Sequence, residues 1–134
     1  MPIVVKVVEE SEYNDWVGKQ KKAAADMAAS AGKTWSKADL IKRGEAVYNA
    51  SCAACHQANG QGIPGVFPAI AGSKIATGSV AGHIGIVRDG KPGTAMQAFG
   101  TQLNAADLAA VVTFQRNAFG NNTGDVVQPS QISR

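Results

Sequence analysis

Cysteine and histidine are scarce in this chain, with two of each in 134 residues. That excludes a disulfide framework, which needs several bridges to hold a small loop-rich fold. It also leaves a structural zinc site, which takes four ligands and usually two cysteine pairs, without its second pair. No run of 18 apolar residues occurs, so no segment reads as a membrane span, and no leader of the secretory kind is visible. Aromatic residues make up only 6% of the chain, too few for an aromatic-rich sandwich. No dense basic cluster interleaved with aromatics argues for nucleic acid.

The two cysteines fall together, in Cys52-Ala53-Ala54-Cys55-His56. C-x-x-C-H is the attachment signature of a c-type haem. Two thiols separated by two residues on one helical turn can each bond a haem vinyl group. The next residue, His56, is then held beneath the iron as a neutral imidazole. Other uses of C-x-x-C are a zinc site, a thioredoxin-like redox pair and a plain disulfide. Zinc lacks its further cysteines, a thioredoxin-like pair should follow a strand in a βαβ pattern that is missing around Cys52, and a disulfide has no need of the histidine. One covalent haem is therefore the expected cofactor.

Charge sharpens this. The net charge is +3, and residues 1–35 hold five basic and five acidic groups. Residues 36–120 hold seven basic and four acidic groups, so the excess lies around the haem motif. Such lysines and arginines are either an ordinary solvated face or a rim that steers an acidic protein partner. Glycine is frequent at 15 residues, which suits short helices joined by tight loops around a bulky cofactor.

Along the chain, residues 1–8 are rich in β-branched side chains and read as a strand without a partner, the expected end of a longer chain cut away. Residues 9–31 read as helix, broken near Gly32-Lys33-Thr34. Ser36 fits an N-cap with Asp39 at N3, and Trp35 and Leu40 fit a hydrophobic staple. The helix that follows places Leu40, Gly44, Val47 and Tyr48 on one face and leads into Cys52. Trp35 and Tyr48 read as core packing. Residues 59–73 are punctuated by glycine and proline and read as loop. A short helix is expected over 79–89, stopped by Gly90. Asn104, Asp107, Leu103 and Leu108 repeat the cap-and-staple device for a last helix to about Asn117, with Gly120 able to stop it. Residues 121–134 are polar and read as a frayed tail. The pattern predicts an all-α fold over 36–120, with 1–35 as the end of another domain plus linker.

His56 leaves the opposite iron face open, and a thioether there raises the potential relative to a second histidine. Met1, Met27 and Met96 are available. Met96 follows a Gly/Pro turn in a loop, which can cross a haem face more easily than a helix can, so it is the leading candidate. The rival is His83, expected to be a solvated histidine on a surface helix. With both faces filled the iron has no place for substrate, and the site shuttles single electrons.

These residues resemble class I cytochromes c, a small all-α fold of helices packed around one covalent haem c. The resemblance covers about residues 36–120 and rests on Gly44-x-x-x-Tyr48-x-x-x-Cys52, the haem motif, Pro68-x-Ile70-x-Gly72, Pro92-Gly93-Thr94-Ala95-Met96 and the last helix with Phe114. It implies that Cys52 and Cys55 hold the haem, that His56 and Met96 are the axial ligands, and that the Pro68 carbonyl accepts a hydrogen bond from His56. It also implies that Gly44 and Tyr48 pack on the last helix near Phe114.

Residues 1–8, followed by Tyr13-Asn14-Asp15-Trp16-Val17, look like the end of the copper domain of cytochrome c oxidase subunit II, as in caa-type bacterial oxidases that carry a cytochrome c domain after it. This resemblance implies that Met1 falls at a copper-ligating methionine, with the other ligands and the dinuclear copper in an upstream domain. The expected role is then single-electron transfer without catalysis by the domain itself. Electrons would pass from a donor cytochrome or quinol-oxidising complex to the copper domain of the same subunit and on to the other oxidase subunits. The site would face the periplasm, on a chain anchored to the membrane by parts outside this soluble piece. The competing expectations are a free-standing periplasmic electron carrier, and an enzyme or gas sensor with one open haem face.

Overall fold

The computed structural model describes residues 10–32 and 34–132; the expected strand at 1–8, and Met1 with it, lie outside the described residues. Six helices follow in order: α1 (Glu10–Gly32), α2 (Lys37–Ser51), α3 (Ala53–His56), α4 (Lys74–Thr77), α5 (Val80–Asp89) and α6 (Ala105–Asn117). Single 3₁₀ turns sit at Phe99–Thr101 and Pro129–Gln131. Among the described residues there is no strand, only an isolated bridge between Ile63 and Phe67. The fold is all-α, as the sequence predicts.

The core is built on α6. Ala109, Ala110, Val111, Val112 and Thr113 are all fully buried, so the helix is covered on every side, as an apolar-all-round helix must be. Helix α2 packs along it. Ser36 caps α2 by accepting a hydrogen bond from the Asp39 amide at 3.2 Å, and Asn104 caps α6 from the Asp107 amide at 2.8 Å. These caps satisfy amides that the first turn leaves without partners. Leu40, Gly44 and Tyr48, four residues apart, form the buried stripe of α2. A Cβ on Gly44 would stand 2.6 Å from the Phe114 Cβ and collide with the Ala110 carbonyl. Glycine is what allows the two helices to approach here. Arg43 fastens the same crossing, donating to Asp107 at 2.6 Å. Tyr48, Phe114 and Phe119 form an aromatic triangle with ring centroids 5.1–5.5 Å apart.

Residues 121–132 correct the expectation of a frayed tail. Val127 is fully buried and Ile132 is 5% exposed. The Gln128 side chain pairs with both backbone groups of Trp35, at 2.8 and 2.9 Å. Arg116, 2% exposed, holds Asp125 at 2.5 Å and the Gly78 carbonyl at 2.6 Å. The segment reads as polar because its few apolar residues are spaced without helical or strand period. What orders it is tertiary: a buried guanidinium needs a carboxylate.

Candidate functional site

Cys52 ends α2, and its carbonyl accepts the His56 amide at 2.9 Å, so the motif coils into α3. That turn brings both thiols and the imidazole to one wall of a cavity of about 380 Å³. Gln57 leaves the helix at φ 67, and the Tyr48 hydroxyl donates to its carbonyl at 2.6 Å. The chain then folds back: the Gly62 amide bonds the His56 carbonyl at 2.8 Å. Gly62 has φ +65 and lies so close to Phe67 and Pro68 that a Cβ would meet the Pro68 oxygen at 2.6 Å. This tight return sets the Pro68 carbonyl 2.8 Å from His56 Nδ1. A carbonyl can only accept, so Nδ1 carries the proton and Nε2 keeps its lone pair, the form a metal ligand requires.

Met96 reaches the same cavity from another element. Gly90, at φ +73, turns the chain out of α5. Lys91 and Met96 are then tied backbone to backbone at 3.0 Å, and the Thr94 hydroxyl donates to the Lys91 carbonyl at 2.7 Å while accepting the Met96 amide at 3.2 Å. Ile70, Val87 and Phe99, all at least nine-tenths buried, supply apolar wall. Asn121 holds the wall from behind: its amide donates to the Ile70 and Gln115 carbonyls at 3.1 and 2.7 Å and accepts the Gly72 amide at 2.7 Å.

His83 corrects the expectation of a solvated histidine. It is 3% exposed, lines the cavity, and its Nε2 lies 2.7 Å from Gln115 Oε1. Burial pushes its pKa down to about 4, aided by the charge of Arg116 and opposed by the Gln115 hydrogen bond. Gln115 is expected from the sequence on the last helix with Leu108, Val111 and Val112, and not at the site. A glutamine four residues after Val111, within an alanine- and valine-rich helix, was the available signal.

Burial also pushes the Cys52 thiol up to about 11, with Cys55 adding to the shift. An attacking thiol of a redox pair needs the reverse. Among the described residues no group of three or more His, Cys, Asp or Glu side chains converges on a metal position. What the cavity offers instead is two thiols on one helical turn, an imidazole with a free Nε2, a thioether and an apolar lining. This donor set fits a haem c.

A helical fold with this cavity defines the class of small cytochrome c domains. A family model described as cytochrome c oxidase, cbb3-type, subunit III matches residues 38–114, and the chain belongs to that family. Membership implies haem c and haem-based electron transfer by a domain that is not itself catalytic. The chain is similar to the cytochrome c subunit of the quinone alcohol dehydrogenase of Gluconobacter oxydans, 31% identical over 68% of this chain and 21% of the relative. It is also similar to the gluconate 2-dehydrogenase cytochrome c subunit of Pantoea cypripedii, 31% identical over 72% of this chain and 24% of the relative. A stretch of 29 residues is 66% identical to cytochrome c-552 of Thermus thermophilus, covering 22% of this chain and 21% of that protein. The chain thus spans 21–24% of the length of these relatives.

Proposed function

We propose that this domain carries single electrons on one haem c, joined to Cys52 and Cys55, with His56 and Met96 on the two faces of the iron. The observation that carries the reading is the meeting of Cys52, Cys55, His56 and Met96 on one apolar cavity. When bound, the haem supplies a one-electron couple between Fe(II) and Fe(III). The protein's residues do the rest. Pro68 fixes the His56 tautomer, the turn at Lys91–Met96 presents the sulfur, and Ile70, Val87 and Phe99 exclude water. Replacing Met96 by Ala is the direct test. It should lower the potential, abolish the weak ferric band near the red end of the visible spectrum, and let carbon monoxide bind the ferrous form. A variant with the parent's potential and spectrum removes Met96 from the ligand set.

The proposed setting is the periplasmic face of a bacterial membrane. There the domain would take electrons from a donor cytochrome or quinol-oxidising complex and deliver them to the dinuclear copper of a cytochrome c oxidase subunit II. The linker of residues 9–35 would keep donor and acceptor at high effective concentration. In support stand the excess of basic groups on residues 36–120 and the resemblance of the N-terminal segment to a copper domain. A second reading, a cytochrome domain of a dehydrogenase complex, is favoured by the relatives from Gluconobacter and Pantoea. Sequencing the gene upstream of Met1 separates them: two membrane spans and a copper motif are expected for the oxidase, and an upstream sequence without copper ligands would replace it with the dehydrogenase.

A further inference from the structure

A buried polar chain runs through the wall of the cavity beside the apolar Ile70, Val87 and Phe99, and electron transfer by a haem gives it no assigned role. The Gln115 side chain spans two partners. Its Oε1 lies 2.7 Å from His83 Nε2, and its Nε2 lies 3.9 Å from Cys52 Sγ. All three residues are at least nine-tenths buried and line the same cavity. A buried polar pair in a core position costs stability unless its groups are satisfied, and here each group but His83 Nδ1 has a partner within the pair or at Cys52.

We propose that Gln115, aligned by His83, is a positioning donor to the Cys52 sulfur and thereby raises the reduction potential of the haem. The inference rests on the proposed attachment at Cys52. A thioether sulfur has no hydrogen and can only accept. Gln115 must then turn its N–H toward sulfur and its Oε1 toward His83, which makes Nε2 the protonated nitrogen of a neutral ring. The His83 Nδ1, buried without a hydrogen-bond partner, is left as a bare lone pair. The opposite tautomer would strand a buried N–H there, the rarer and costlier case. The positive end of the amide dipole therefore faces the sulfur and draws electron density from the ring it is bonded to. That favours the electron-richer reduced state, in the way that hydrogen bonds around a redox centre raise its potential.

The test compares midpoint potentials of the holoprotein with those of Gln115→Met, His83→Leu, His83→Gln and the packing control Leu108→Ala. Gln115→Met should lower the equilibrium constant for one-electron reduction roughly two- to fivefold, below the tenfold change that would consume an entire ordinary hydrogen bond. His83→Leu should move it the same way by less, and His83→Gln, which keeps an amide donor for Oε1, should restore it. Leu108→Ala should lose stability and keep the potential. An unchanged potential in Gln115→Met, or an equal shift in Leu108→Ala, overturns the proposal. Should Gln115→Met fail to fold, nitrogen NMR of the reduced parent decides: a proton on His83 Nε2 is expected, and one on Nδ1 overturns it. Acid–acetone extraction separates this failure from failure of the attachment itself. Colour that stays with the protein while the potentials stay level removes the relay alone, and colour that leaves removes the haem c reading.

Discussion

Folding takes a proton-binding site away from His83. The free imidazole titrates near 6.5, the buried one near 4. Between those values the unfolded chain binds more protons than the folded one, so stability is full above pH 6.5 and falls as the pH drops toward 4. A shift of this size is worth on the order of 2 kcal/mol by pH 4.5. Urea unfolding of the parent and of His83→Gln at pH 7 and pH 4.5 checks it: the parent should lose more stability than the variant by about that amount. His56 answers to a different constraint. Its Nδ1 is tied to the Pro68 carbonyl at 2.8 Å, and its value lies in the nitrogen that stays free. His56→Ala should yield no stable low-spin haem, and an unaltered spectrum would refute the ligand role.

Between helices the decisive feature is the α2–α6 crossing, where one backbone touches another. Gly44 is a poor residue for the middle of a helix, and alanine would gain up to about 1 kcal/mol in propensity. The clash with the Ala110 carbonyl and the Phe114 Cβ at 2.6 Å outweighs that gain. Gly44→Ala should therefore destabilise by about 2 kcal/mol or more, because overpacking forces the helices apart. Thermal unfolding followed at 222 nm, roughly the helix band, would show a clear fall in Tm, whereas Gly18→Ala, where nothing stands within 4 Å of the added carbon, should not.

Across the whole molecule, chain ends and middle depend on one another unequally. Helix α1 lies against α6 and the last 3₁₀ turn, while among the described residues the cavity is lined by side chains between Ser51 and Gln115. Removing residues 1–30 should leave the haem spectrum unchanged, and its loss would make α1 part of the core. The other end matters more. Arg116 is 2% exposed and Asp125 is its carboxylate partner, held well below the usual carboxylate range chiefly by that hydrogen bond. Asp125→Ala strands the guanidinium and should cost about 2 kcal/mol, less than a fully buried pair because Asp125 is partly wet. Denaturant midpoints with unchanged slope would measure it.

Local chemistry was legible in the chain. Caps at Ser36 and Asn104, the stop at Gly90, the Gly44–Tyr48 stripe and the all-α character each follow from side chains acting within a turn or two. So does the haem motif, since the spacing of Cys52, Cys55 and His56 is itself the geometry of one helical turn. The order of residues 121–132 and the burial of His83 were not legible. Both depend on partners far along the chain, Arg116 with Asp125 and His83 with Gln115, and no periodicity marks a polar residue whose satisfaction comes from another element. The sequence by itself determined which side chains are proposed to hold the cofactor. Only the packing of α5 and the tail onto α6 decided which polar groups share its cavity, because burial and dielectric belong to the assembled fold and not to any segment of it.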